Sequence, residues 1–217
     1  MSCQEKKAEA NVPKWILSMV SESKNTSVET DFSNILSDKR VPYIGYIGTE
    51  YQKFTIDIQK VQRTDDNQYA VSGITAVKSN RCNFHGTINI VENREFTHPT
   101  YGVDDSMKGQ FKRRGCSIAK YNFEEEKSQT GSGVFTGYLL FYWYETNDGK
   151  FVYDDIDSHS DSYCNIQYAG TWTSNKTKKS KPCAWGQYRV PNSGDLDIGA
   201  GDFSVNPKYA KNGWEKK

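Results

Sequence analysis

From Val41 onward the chain alternates bulky apolar or aromatic residues with polar ones, a period of two that suits half-buried β-strands. The segments YIGYIGTE, QKFTIDIQKVQ, QYAVSGITAVKS, NFHGTINIVEN, CSIAKYNFEE, GVFTGYLLFYWYE, KFVYDDIDS and CNIQYAGTWTS all carry it. Turn chemistry divides them: TDDN at 64–67, KSNR at 78–81, TGSG at 130–133 and NDG at 147–149. The last is a tight hairpin signal, because glycine supplies positive φ at no steric cost. A bulky residue also stands two before a glycine at Tyr43/Gly45, Val71/Gly73, Phe84/Gly86, Phe135/Gly137 and Tyr168/Gly170. Both members of each pair share a face, and glycine inside a strand is tolerated where a sheet bends sharply. The predicted fold is mainly β: an antiparallel meander, barrel-like or strongly coiled, with two short N-terminal helices.

Those helices come from a different period. In NVPKWILSMVSES, Asn11 is a candidate N-cap, Pro13 sits in the first turn, and Trp15, Ile16, Met19 and Val20 share a face. In SVETDFSNILSDK, Val28, Phe32, Ile35 and Leu36 are helically spaced. Both stripes are expected to pack on the β domain. The expected organisation is a tether at 1–12, a short helical segment at 13–37 and a single β domain at 38–217.

Charge narrows the partners. The 28 basic and 27 acidic residues leave a net charge of +1, which gives no nucleic-acid footprint. No run of 18 apolar residues is present. The aromatic share of 13% exceeds what a disordered chain carries. The polar connection at 96–113 and the basic loop SNKTKKSKP at 174–182 read as exposed loops.

Cys82, Cys116, Cys164 and Cys183 lie within the β-patterned region and form no CxxC pair. Two disulfides are expected, Cys164 with Cys183 and Cys82 with Cys116 as first choice among three pairings, implying an oxidising compartment. Four reduced core thiols are the alternative. Cys3, followed by the polar QEKKAEAN, resembles the mature start of a bacterial lipoprotein. That resemblance implies a lipid on Cys3 and an exported domain, periplasmic or at the cell surface; a native Met1 would instead imply a cytoplasmic protein. Gly170-Thr-Trp172 resembles the G-x-W signature of lipocalin-type barrels, which implies a barrel-like meander and carries over no binding residue.

Two acidic stretches invite chemistry. In PNSGDLDIGAGDFSVN, Asp195, Asp197 and Asp202 are interleaved with glycines, as in loops that take Ca2+. An EF-hand would need an oxygen ligand at Gly199 and a glutamate at Asn206, so the match fails there. Leu196 and Ile198 alternate with the aspartates, so a structural turn and edge strand is the plainer reading. In FVYDDIDSHSDSY, Asp155, Asp157, His159 and Asp161 share parity, so on a regular strand they would share a face and perturb one another's pKa values. No HExxH, G-x-S-x-G or phosphate loop occurs, and no residue is assigned a catalytic role.

The function expected is a non-enzymatic binding or interaction module, of inhibitor or immunity type among others. Its partner would be a small molecule, glycan or protein at the cell envelope, with no nucleic acid and membrane contact only through the lipid. Tyr142, Trp143, Tyr144 and Trp172 are the candidate contacts. The alternatives are a glycan hydrolase working through the clustered aspartates and a structural envelope component.

Overall fold

The computed structural model describes residues 12–215; residues 1–11 of the expected tether, with Cys3 and Asn11, lie outside them. Helix α1 (Lys14–Met19) follows Pro13 at the cap position, whose side chain can accept no capping hydrogen bond. Strand β1 (Ser23–Asn25) and the single turn of α2 (Ser33–Leu36) come next. Nine further elements carry the β domain: β2 (Ile44–Ile47), β3 (Gln52–Asp65), β4 (Gln68–Val77), β5 (Asn80–Phe96), β6 (Phe111–Glu125), β7 (Gly133–Thr146), β8 (Phe151–Tyr153), β9 (Asn165–Ser174) and β10 (Ser180–Gln187). None of the helices is long and apolar enough to cross a membrane among the described residues.

The antiparallel sheet of ten strands closes on itself. Each strand from β2 to β7 pairs with the next, β7 pairs with β9, β9 with β10 and β10 with β2. With β1 and β8 set aside, eight strands form an up-and-down barrel. Bulges at Ile58/Lys60, Ile90/Glu92 and Gly186/Gln187 bend long strands around it. Gly137 and Gly170 face each other across β7 and β9, and a Cβ on either would lie 2.7 Å from the other's Cα. The bulky-x-Gly repeats thus mark places where strands crowd, as the curvature argument requires.

Parity then sorts inside from outside. Phe54, Tyr69, Phe84, Phe123, Phe135, Tyr168 and Trp185 point inward and are buried. Trp185 stacks on Tyr168 at 4.7 Å between centroids and meets Tyr121 at 5.3 Å and Phe54 at 5.5 Å. Large rings therefore fill the middle of the barrel.

The ends differ. At one, Phe32, Ile35 and Leu36 enter the core, with the Phe32 N–H donating to Tyr69 Oη at 3.1 Å. Segment 28–36 is thus a plug, and only 33–36 of the expected second helix is helical. The opposite end is framed by the turns at 48–51, 78–79, 126–132 and 175–179 and has no such plug.

Outside, α1 lays Ile16 and Val20 against Cys116, Ile118 and Leu140. The C-terminal segment covers the β2–β10–β9 face through Val190, Leu196 and Trp214. Leu196 is buried, and Asp197 makes an isolated bridge with Val205. DLDIGAGD is therefore part of this cover.

The disulfide expectation is corrected. Cys82, Cys116, Cys164 and Cys183 are all free thiols. Cys116 stands opposite Arg94, twelve positions along β5 from Cys82; at about 3.3 Å per residue that is roughly 40 Å. Cys164 precedes Asn165, which stands opposite Gln187, four positions beyond Cys183. That is roughly 13 Å of strand, against the ~7 Å Cα limit of a disulfide. Burial pushes the Cys116, Cys164 and Cys183 thiols up to about 12. At pH 8 iodoacetamide is expected to modify these three at least a hundredfold more slowly than a model thiol until urea unfolds the chain. Dithiothreitol should leave the melting temperature unchanged; a drop on reduction would restore the crosslinks.

Candidate functional site

The two acidic stretches already hold cations, and the cations are arginines. FVYDDIDSHSDSY is strand only through Tyr153, so its later acids do not share a strand face. Arg114, inside β6, donates from Nε and Nη2 to the Asp154 carboxylate at 2.8 and 3.0 Å. Its Nη1 reaches Asp157 at 2.9 Å and the Thr100 carbonyl at 2.7 Å. This buried fork ties the 96–113 connection and the 154–164 loop to the barrel wall. Asp155 pairs instead with Arg40 at 2.6 Å, while His159 and Asp161 are exposed.

Arg189 does the same for the glycine-rich loop. Its guanidinium donates to Asp197, to the Gly199 carbonyl at 3.0 Å and to the Ala200 carbonyl at 2.8 Å. The other Asp197 oxygen accepts the N–H groups of Gly199 and Ser204, each at 3.0 Å. Asp195 turns away to Lys208 and Tyr209, and the Lys208 hydrogen bond holds its carboxyl below the usual range. Asp202 is exposed. Asp195, Asp197 and Asp202 are thus not brought together. Among the described residues no group of three or more His, Cys, Asp or Glu side chains converges as a metal would need.

The four aromatic candidates also separate. Trp143 is fully buried in the barrel and donates to Ser117 Oγ at 2.9 Å. Tyr142 points outward beside Phe96 and lines an outer-face cavity of about 320 Å³ with Arg114, Asp154 and Tyr163. Tyr144 lies near the plugged end by Phe111. Trp172 alone reaches the open mouth.

That mouth is the candidate site. A cavity of about 380 Å³ is lined by Ile47, Gln52, Thr75, Val77, Asn80, Glu125, Phe135, Trp172 and Lys181, with Thr130 and Gly131 from the 126–132 turn. Every one of the eight barrel strands contributes a residue to it. Ile47, Val77, Phe135 and Trp172 give apolar walls; Asn80 and Lys181 are exposed, and the half-buried Gln52 donates from Nε2 to the Asn212 carbonyl at 2.7 Å.

At its wall lies a carboxylate. Glu125 is 6% exposed. Its Oε2 accepts the Gly133 N–H at 2.7 Å and Trp172 Nε1–H at 3.0 Å, and its Oε1 pairs with the Thr75 hydroxyl. Gly133 is required there, since a Cβ would lie 2.3 Å from the Trp172 indole. Burial first, and then the Glu125 charge, hold the Cys82 thiol above its ordinary value. Sequence reasoning passed over Glu125, Thr75 and Lys181. A signal existed: Glu125 has the parity of Tyr121 and Phe123, and Lys181 that of Cys183 and Trp185.

Removing one partner of a buried ion pair leaves an uncompensated charge. Arg114→Met is expected to cost about 3–5 kcal/mol in urea unfolding, whereas Asp155→Asn at the exposed Arg40 pair should cost less than about 1 kcal/mol. Equal, small effects would remove Arg114 as the tie between the two loops. No family model, characterised protein or solved structure matches the chain.

Proposed function

We propose that the protein is a non-enzymatic binding module, exported and tethered at the cell envelope through Cys3, that takes a small ligand into the open mouth of its barrel. One observation carries the reading: an apolar-walled cavity of about 380 Å³, built from all eight barrel strands, with a few polar groups converging on it. Small-molecule sites have this composition, and barrel mouths are a common place for them. The size suits a compact ligand.

A glycan hydrolase would need two available carboxylates flanking one cleft. Asp154, Asp157, Asp155 and Asp197 are each held by an arginine, so the aspartates lend that reading less support than the mouth lends a binding role. The tether reading rests on the lipoprotein resemblance of Cys3 and its polar sequel.

N-phenyl-1-naphthylamine, a neutral apolar fluorophore, is expected to bind saturably at one site and to accept energy from tryptophan. Val77→Trp, which fills the mouth, should weaken it at least tenfold. Non-saturable binding, or binding indifferent to Val77→Trp, would sink the proposal. In expressing bacterial cells the chain should incorporate labelled palmitate, and Cys3→Ser should abolish the label; equal labelling of both would end the tether reading.

A further inference from the structure

Glu125 is a charged residue at a position the alternation assigns to the core. Two residues after Phe123 and four after Tyr121, it faces inward and is almost wholly buried. Neutral donors from Thr75, Gly133 and Trp172 spread its charge and do not cancel it. Among the described residues no Lys, Arg or His nitrogen lies within 4 Å of it. Burying a carboxylate without a counter-charge is costly, so such a group points to a cation that arrives from outside.

Lys181 complements it. It stands directly opposite Trp172 in the β9–β10 register, and its parity with Cys183 and Trp185 turns it toward the same mouth. It has no acidic oxygen within 4 Å among the described residues. The cavity therefore has a carboxylate at its wall and an ammonium at its rim, and its apolar lining is Ile47, Val77, Phe135 and Trp172.

We propose that the mouth binds a small zwitterion whose primary ammonium donates to Glu125 and whose apolar stem leads to an anionic group paired with Lys181. This rests on reading the mouth as a ligand site. A carboxylate offers about four acceptor positions, and the three bonds it already accepts leave room for an N–H donor. The Trp172 and Phe135 rings beside it favour a cation further. A lysine at the entrance disfavours a bare cation and favours one with an anionic tail, because complementary charge sets selectivity. An apolar stem follows from the walls.

The experiment titrates the full chain with 6-aminohexanoate, hexylammonium, hexanoate and 1-hexanol by calorimetry, each also as a competitor of N-phenyl-1-naphthylamine. 6-Aminohexanoate should bind tightest, at least tenfold above hexanoate and hexanol, with hexylammonium between. Glu125→Gln should lower both ammonium compounds at least tenfold and hexanol less than twofold. Lys181→Met should bring 6-aminohexanoate down to hexylammonium while leaving the latter no weaker. If hexanoate or hexanol matches 6-aminohexanoate on the unaltered protein, the charge assignment is wrong and the cavity reading survives. If the naphthylamine binds and none of the four displaces it, the ligand chemistry alone fails. Should the naphthylamine not bind either, the mouth reading falls with it. The ranking on the unaltered chain decides even if Glu125→Gln does not fold.

Discussion

Pairing of β5 with β6 closes the ring, and the rest of the structure follows from that closure. It gives the eight barrel strands two neighbours each and fixes which parity of each strand faces inward. An interior of this size has room for side chains and little else, which explains why rings from β3, β6, β7 and β9 meet around Trp185 of β10. What varies is the terminal layer. At one end the chain spends Phe32, Ile35 and Leu36 on filling it. At the other, the inward positions carry Gln52, Thr75, Asn80, Glu125 and Lys181, which are too polar to pack shut, and a cavity results.

Charge is distributed on the same plan. The ion pairs among the described residues lie along the plugged end and the covering segments, where Arg40, Arg113, Arg114 and Arg189 bind loops to the wall. An arginine suits this work because its planar fork holds two acceptors at once and stays charged. The open end has Lys78, Lys127, Lys176, Lys178, Lys179 and Lys181 in or beside its turns, none of them in an ion pair among the described residues. One end is therefore internally neutralised and the other is left to interact. Of the acidic stretches that attract attention in the sequence, 154–161 belongs to the first and DLDIGAGD to the cover over β2, β10 and β9.

The readings that held and those that failed divide along one line. Strands β2 to β9, turns, curvature glycines and the packing of Ile16, Val20, Phe32 and Leu36 were legible because they depend on residues near in sequence, whereas β1 and β10 were not read as strands. The metal-like loop could be recognised as a structural turn from the alternation of Leu196 and Ile198 with its aspartates, but only Leu196 is buried, and the counter-ion Arg189 had no local signature. The disulfides failed because pairing is a matter of distance: Cys82 lies on β5 and Cys116 on β6, twelve register positions apart, and Cys183 looks into a packed interior. Tyr142, Trp143, Tyr144 and Trp172 are all candidate contacts in the sequence, and period two sends Trp143 inward and Tyr142 and Tyr144 outward.

By itself, the sequence determined that the chain would be an antiparallel β meander with crowded, bending strands and an aromatic interior, since alternation and glycine placement are local steric facts. It also set the parity of Glu125 and Lys181. Which parity is the inside, and that these two residues from strands far apart in the chain share a mouth with Trp172, only ring closure decided. A charge at an inward position is a defect in an open strand and a binding group at the end of a closed barrel. The difference lies in what the other seven strands bring to the same layer.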